Sequence, residues 1–256
     1  GNGEKELLDA GIEVDGGILE KEARKLNEVF VKYSTTGLPF VVLKVALSAD
    51  GKTVARRGGS RWITGEEARG HARRLRGKYD AILVGINTIL ADNPRLTARN
   101  RGLTDPIRII LDSKLRIPLN SKVLVGGNTI IATADGCAEK KRKAIEKSGA
   151  QIWVCGGGRE NAGKVDIPAL LSKLGKAGIT SIMVEGGSRV HRSFMDEKAV
   201  DKMLIYVAPK IIGGDGAKPT IDDARAGVIK KAKRLEKVKI SRIGRDLLIE
   251  GYPAYR

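Results

Sequence analysis

The sequence predicts an α/β fold in which a mostly parallel central sheet is flanked by helices and ends in antiparallel strands. Three observations support this prediction: short β-branched apolar runs alternate with helical patterns, turn residues separate them, and no helical pattern lies between the last two runs. Parallel neighbours need long crossovers, which the intervening helices provide. With 256 residues, of which 41% are hydrophobic, one main domain with a substantial core is expected.

The first elements are a helix over 18–32, where apolar residues recur at helical spacing, and a strand over 39–47, a Val-rich run. Lys44 interrupts this run and is predicted to be an inward or terminal lysine of a buried strand. The next predicted strands cover 81–84, 107–111, 129–132, 152–155 and 181–184, and the helices cover 65–78, 138–148, 167–177 and 188–198. The closing strands cover 203–207, 237–240 and 247–250, with antiparallel pairing expected.

Two helix starts have capping residues. Thr64 with Glu67 three residues later predicts a capping box, and Ser188 is expected to cap the helix after the turn Glu185-Gly186-Gly187. The glycines of that turn suit a ligand phosphate at a helix N-terminus, although a tight strand-to-helix turn explains them equally well. No G-x-G-x-x-G fingerprint occurs, so a nicotinamide cofactor would need another α/β arrangement.

Composition excludes several classes. No apolar run approaches the roughly 20 residues of a membrane span, and no secretory signal is readable, so a cytoplasmic location is expected. Cys137 and Cys155 are poorly spaced for disulfides or zinc, His71 and His191 are widely separated, and no metal site is expected. The net charge is +17, and the basic residues are interleaved with acidic ones along the chain. This distribution favours a solvated basic surface that attracts phosphorylated ligands. A nucleic-acid-binding protein is the non-enzymatic alternative.

Ordered motifs at residues 43–52, 60–64, 84–97, 110–113, 184–187 and 208–214 closely resemble the pyrimidine reductase family of riboflavin biosynthesis. The resemblance runs from about Pro39 to Gly251. It implies a dihydrofolate-reductase-like fold, a homodimer, and hydride transfer from NADPH to C1′ of 5-amino-6-(5-phosphoribosylamino)uracil, which becomes the ribityl compound.

The resemblance also implies roles for single residues. The substrate and phosphate contacts it implies are Ser60, Arg76, Leu96 and Arg99, with Lys44 and Glu185 near the reacting ribose and pyrimidine. The cofactor contacts it implies are Ala46, Trp62, Thr88, Asp92, Ser113, Gly187, Ser188 and Arg189. Lys44, Asp92 and Glu185 are the candidate catalytic groups, with Lys44 or Asp92 managing the proton.

Residues 1–38 resemble the tail and linker of the deaminase domain that precedes the reductase in bifunctional bacterial relatives, which makes 39–256 the reductase domain. The H-x-E and P-C-x-x-C deaminase motifs do not occur, so zinc and deamination are not expected. A piece of a bifunctional protein and a stand-alone reductase both fit. Similarity to stand-alone archaeal reductases keeps the undeaminated diaminopyrimidinone as an alternative substrate, and a dihydrofolate-reductase-like enzyme on another substrate is a further alternative.

Overall fold

The computed structural model describes residues 2–54, 62–99, 102, 104–157, 161–213, 218–219 and 232–255. Its helices are α1 (Asn2–Asp9), α2 (Glu20–Leu26), α3 (Glu28–Thr36), α4 (Glu66–Arg76), α5 (Ile86–Asp92), α6 (Glu139–Glu146), α7 (Ile167–Lys176) and α8 (Ser188–Asp196). Its strands are β1 (Phe40–Ser48), β2 (Lys52–Val54), β3 (Ala81–Gly85), β4 (Ile107–Leu111), β5 (Thr129–Thr133), β6 (Gln151–Val154), β7 (Gly156–Gly157), β8 (Asn161–Val165), β9 (Ser181–Gly186), β10 (Lys202–Ala208), β11 (Lys218–Pro219), β12 (Leu235–Ile243) and β13 (Asp246–Pro253).

A nine-stranded sheet in the order β12-β13-β10-β1-β9-β3-β4-β5-β6 forms the centre of the fold. Every neighbouring pair from β10 to β6 is parallel, whereas β13 runs antiparallel to both β10 and β12. The predicted α/β class, with a mostly parallel sheet and an antiparallel C-terminal end, is therefore confirmed. Among the described helices, none combines the length and the apolar character that a membrane span requires.

Helices cover both faces of the sheet, because alternate residues of each strand point to opposite faces. On one face Leu43 packs into a core with Leu170 of α7 and Phe194 of α8. On the other face Val42 packs with Ala72 of α4, and further along the sheet α5 and α6 cover a second core. Parallel strands buried on both sides explain the nearly continuous apolar runs from which the strands were predicted.

Strand β9 lies between β1 and β3, although the chain forms β3 to β6 before it reaches β9. Because β1, β9, β3 and β4 are parallel, their carboxyl ends lie at one edge of the sheet, which we call the carboxyl edge. Open α/β sheets bind ligands outside this edge, where the strand order reverses.

The single helix predicted over 18–32 is wrong, because α2 and α3 are separate helices that meet at Asn27. The Asn27 side-chain amide donates to the Ala23 carbonyl at 3.0 Å, a local hydrogen bond of the kind that competes with the helical pattern. Leu26 is exposed, so no core contact opposes the break. Helix α3 ends at Thr36, and its C-cap residue Gly37 has a φ of 68°, which suits glycine at a helix C-terminus.

The predicted capping residues are also wrong. Helix α4 begins at Glu66 with Gly65 as its N-cap, and the Gly65 N–H donates to the Asp246 carboxylate at 2.7 Å. This carboxylate belongs to β13, so a distant strand binds the N-cap residue, and Thr64 is not the N-cap. Ser188 is the first residue of α8 and Gly187 is the N-cap, with no hydrogen bond from a capping side chain. The Gly187 φ of 83° is a conformation that glycine adopts at little steric cost.

Candidate active site

Three charged side chains on the α4 side of the sheet, which we call the charged cluster, influence one another: Arg76 from the end of α4 pairs with Glu185 from β9, and Lys44 from β1 interacts with both through its charge. Arg76 donates from Nε and Nη2 to the two carboxylate oxygens of Glu185, at 2.8 and 2.6 Å. Only 16% of the Arg76 side chain and 8% of the Glu185 side chain are exposed. A bidentate pair of this kind is among the stronger interactions that charged side chains make.

Burial and charge act in opposite directions in the charged cluster. Burial opposes ionisation of Glu185, but the charge and hydrogen bonds of Arg76, together with the charge of Lys44, hold the pKa of its carboxyl below the usual value. Burial lowers the pKa of Lys44, Glu185 opposes that shift, and Arg76 adds to it. The Glu185 carboxylate therefore offsets part of the charge of both Arg76 and Lys44. With Lys44 protonated, the charged cluster carries excess positive charge and suits an anionic or electron-rich ligand.

The loop after α5 is tied to the charged cluster, because Arg76 Nη1 donates to the Thr97 carbonyl at 3.2 Å. Asn93, Leu96 and Arg99 in this loop have φ values of 41°, 57° and 53°. Non-glycine residues in this region are uncommon and cluster at functional sites. The Leu96 side chain is buried in the core, so its backbone is the part available to a ligand, whereas Arg99 is exposed.

A cleft of about 350 Å³, which we call the basic cleft, opens at the carboxyl edge. Its lining residues are Ile86, Leu111, Ser113, Lys114, Arg116 and Arg189. Arg116 donates to the Asn87 side-chain oxygen at 3.0 Å, and the Ser113 hydroxyl accepts from the Val165 N–H at 3.3 Å. Three cations beside an apolar floor fit a ligand that combines phosphates with flat rings, as nicotinamide dinucleotides do.

The other predicted cofactor residues lie at or near this edge. Ala46 is half-buried in β1, and Asp92 ends α5. Thr88 is so close to Gly186 that a Cβ on Gly186 would lie 2.8 Å from the Thr88 Oγ1. Trp62 is 53% exposed, with the Arg69 guanidinium 4.9 Å from its ring centroid. Ser60, predicted to contact substrate, lies outside the described residues.

Sequence reasoning missed Tyr206 and the role of His71. The Tyr206 hydroxyl and His71 Nδ1 lie 2.7 Å apart, and the Lys44 Nζ lies 5.6 Å from the Tyr206 ring centroid. Tyr206 sits in an apolar strand, where nothing distinguishes it from an ordinary core aromatic. Lys114 and Arg116 were missed as well, although a basic pair directly after a strand end was a usable signal. The described part of the chain contains no cluster of histidine, cysteine and acidic residues suited to a metal ion.

Comparisons with known proteins agree with this geometry. Residues 39–249 match the family described as RibD C-terminal domain. The chain is 39% identical over 256 residues to riboflavin biosynthesis protein RibD of Bacillus amyloliquefaciens, covering 99% of this chain and 68% of that protein. RibD of Acinetobacter baumannii superposes with a TM-score of 0.85 at 30% identity, covering 100% of this chain and 69% of the other.

A second solved structure is also similar. A Thermotoga maritima protein described as a diaminohydroxyphosphoribosylaminopyrimidine deaminase/5-amino-6-(5-phosphoribosylamino)uracil reductase superposes with a TM-score of 0.76 at 30% identity, covering 99% of this chain and 68% of that one. The chain spans about two thirds of the length of the curated relatives it matches. These similarities confirm the predicted dihydrofolate-reductase-like fold.

Proposed function

Because this chain belongs to the RibD C-terminal domain family, we propose that it is an NADPH-dependent reductase that converts 5-amino-6-(5-phosphoribosylamino)uracil to 5-amino-6-(5-phosphoribitylamino)uracil. The observation that supports this proposal best is that the chain has both the charged cluster and the basic cleft, and that β9, which carries Glu185, leads into α8, which supplies Arg189 of the cleft. A substrate with a phosphate, a ribose and a polar base needs cations and a carboxylate at one place, and a dinucleotide needs a cleft beside it.

The residues of the charged cluster suit the opening of the ribose ring. In the proposed reaction the C1′–O4′ bond breaks, O4′ takes a proton from the Lys44 ammonium, and the exocyclic nitrogen lone pair forms a C1′–N double bond. NADPH, when bound, supplies the hydride that C1′ then accepts. The charge of Glu185 favours the ammonium form of Lys44, and its carboxylate accepts hydrogen bonds from substrate, while Arg99 and Ser60 contact the 5′-phosphate. Lys44 is the better proton donor than Asp92, because it lies beside Glu185 whereas Asp92 is exposed at the end of α5.

The basic cleft suits the cofactor. Lys114, Arg116 and Arg189 would meet its phosphates, and the N-terminal N–H groups of α8 after Gly187 would add donors. The additional phosphate of NADPH, compared with NADH, adds negative charge that these cations favour. The apolar floor of the cleft, formed by Ile86 and Leu111, would hold a flat ring of the cofactor in a fixed position.

We further propose that residues 39–256 form the reductase domain and that 1–38 are the tail and linker of a deaminase domain, with the chain acting as a homodimer in the cytoplasm. Within this proposal the alternative substrate is the undeaminated diaminopyrimidinone, whose base differs from that of the aminouracil at one exocyclic group. Reduction of another pyrimidine or of dihydrofolate is the second alternative; it predicts turnover without a phosphorylated ribose.

The experiment follows the loss of NADPH absorbance with the purified chain and each candidate substrate separately. We expect turnover of the aminouracil; turnover of the diamino compound alone would place the reduction before deamination, and turnover of neither by a folded protein would refute the proposal. Lys44→Met should abolish turnover. Arg116→Ala should raise the KM for NADPH about tenfold, while Lys176→Ala, an exposed control, should leave it unchanged.

A further inference from the structure

The hydrogen-bonded pair of His71 and Tyr206 takes no part in the reaction proposed above. Tyr206 belongs to β10 and is 1% exposed, and His71 lies on α4, the helix that also supplies Arg76. Their hydrogen bond of 2.7 Å joins the helix to the sheet directly behind the charged cluster. A buried tyrosine hydroxyl that is bonded to a half-buried histidine needs an explanation, because an apolar side chain would fill the position of Tyr206 at lower desolvation cost.

The sheet register places the Tyr206 ring next to Lys44. Lys44 is paired with Leu204 and Ala46 with Tyr206, so Lys44 and Tyr206 are diagonal neighbours on the same face of adjacent strands. The Lys44 Nζ lies 5.6 Å from the ring centroid. This distance is within the range over which an aromatic face attracts a cation, and the attraction is stronger where water is excluded.

The charges around Lys44 do not by themselves balance the ammonium, so the attraction of the Tyr206 ring adds to that of Glu185. Glu185 of β9 attracts the Lys44 ammonium, but both of its carboxylate oxygens also accept hydrogen bonds from Arg76 of α4, which repels the ammonium. Arg74 of α4 and Glu250 of β13 act on the His71–Tyr206 pair in opposite senses. One carboxylate is thus shared between two cations, and the face of the Tyr206 ring is the second source of negative potential.

We propose that Tyr206, with its ring fixed by the hydrogen bond to His71, is a positioning residue that keeps the Lys44 ammonium protonated and in place. The role of Lys44 as proton donor rests on the function proposed above. The effect of the ring on the protonation of Lys44 does not, because it follows from the contact itself. Burial lowers the pKa of Lys44, and the ring opposes that shift.

The test titrates Lys44 directly, by NMR of the full chain labelled with ¹³C-lysine, with the Lys44 signal assigned by its loss in Lys44→Arg. In Tyr206→Leu, which removes the ring and keeps an apolar side chain, the midpoint of Lys44 should fall by about one pH unit, a tenfold change in its ionisation constant. In Tyr206→Phe, which keeps the ring and loses only the hydrogen bond to His71, the midpoint should fall by only about 0.3 unit, because the ring remains beside Lys44 but is no longer fixed. The alkaline limb of the kcat/KM profile should move by the same amounts.

Tyr252→Leu is the matched control, because the Lys202 Nζ also lies 5.6 Å from the Tyr252 ring centroid, away from the charged cluster. This variant should leave the Lys44 midpoint unchanged. Equal midpoints in wild type and Tyr206→Leu, or equal shifts in the two leucine variants, would overturn the proposal. Where Tyr206→Leu does not fold, phenylalanine and pentafluorophenylalanine in place of Tyr206 give the same comparison with the ring shape retained. A fluorinated ring that leaves the midpoint unchanged would equally overturn it.

The titration also separates the two proposals. A wild-type chain that reduces neither candidate substrate refutes the proposed function, yet the NMR midpoints still report whether the ring stabilises the charged form of Lys44. Conversely, normal turnover together with the same Lys44 midpoint in wild type and Tyr206→Leu would support the proposed reductase function and refute the positioning role of Tyr206.

Discussion

Replacement of Glu185 by glutamine tests the charged cluster most directly. Glu185→Gln keeps the shape of the side chain and removes the only carboxylate described in the cluster. Arg76 then lies buried beside Lys44 without an opposing charge. Loss of one partner of a buried ion pair is costly because the remaining charge stays desolvated.

The magnitude follows from burial and from the remaining hydrogen bonds. Removing one partner of a buried pair costs about 3–5 kcal/mol. The lower end applies here, because Arg76 keeps its hydrogen bond to the Thr97 carbonyl and glutamine still offers one oxygen. A loss of about 3 kcal/mol in the free energy of unfolding corresponds to a fall in Tm of about 6–12 °C for a chain of this size.

The assay is urea unfolding at neutral pH, supported by calorimetry, on wild type, Glu185→Gln and the double variant Arg76→Met/Glu185→Gln. The double variant removes the stranded cation as well, so it should regain at least about half of the loss. A single variant within about 0.5 kcal/mol of wild type, or additive losses in the double variant, would refute the reasoning that the pair is coupled and buried.

Three further predictions concern the scaffold. Asp50 accepts hydrogen bonds from the Ser48 hydroxyl and from the Ile212 and Gly213 N–H groups, and these bonds lower its pKa to about 2. The contribution of Asp50 to the free energy of unfolding should be complete above about pH 4, the unfolded pKa, and be lost as the pH falls to 2. Urea unfolding of Asp50→Asn at several pH values should lack that part of the pH dependence. Gly175→Ala would place a Cβ 1.9 Å from the Gly37 carbonyl oxygen, so calorimetry should show a loss of about 1–3 kcal/mol in the free energy of unfolding. The neighbouring control Lys176→Ala should change this free energy by less than about 0.5 kcal/mol. Equal values for the two variants would contradict the close packing of Gly175. Phe194→Ala empties a fully buried position and should cost about 3–5 kcal/mol in urea unfolding, and a cost under 1 would show that the position is not close-packed.

The parts of the fold that the sequence predicts are those set by local pattern. Strands β3, β4 and β9 are apolar runs because both faces are buried, and α6 and α7, which lie between β4 and β9 in the chain, show helical spacing. The N-cap of α4 was mispredicted, and the carboxylate that binds the Gly65 N–H, Asp246, lies 181 residues away in the chain. Helix α5 was not predicted, since polar residues interrupt the apolar positions Ile86 and Ile89.

The candidate site divides in the same way. Resemblance to a family assigns Lys44, Arg76 and Glu185 to one site, but the direct pairing of Arg76 with Glu185, 109 residues apart, depends on which strands and helices the fold brings together. The same is true of Tyr206, whose nearness to Lys44 comes from the register of β1 and β10. Long-range pairing of this kind has no signature in the spacing of residues along a chain.

The position of β9 between β1 and β3 has a consequence for folding. Until residues 181–186 arrive, β1 and β3 have no common partner, and the central sheet consists of separate pieces with open edges. Closing that gap requires contacts between segments far apart in sequence, which slows folding and makes it strongly cooperative. Because the strand that closes the gap also carries Glu185, the chain gains its charged cluster only as its sheet is completed.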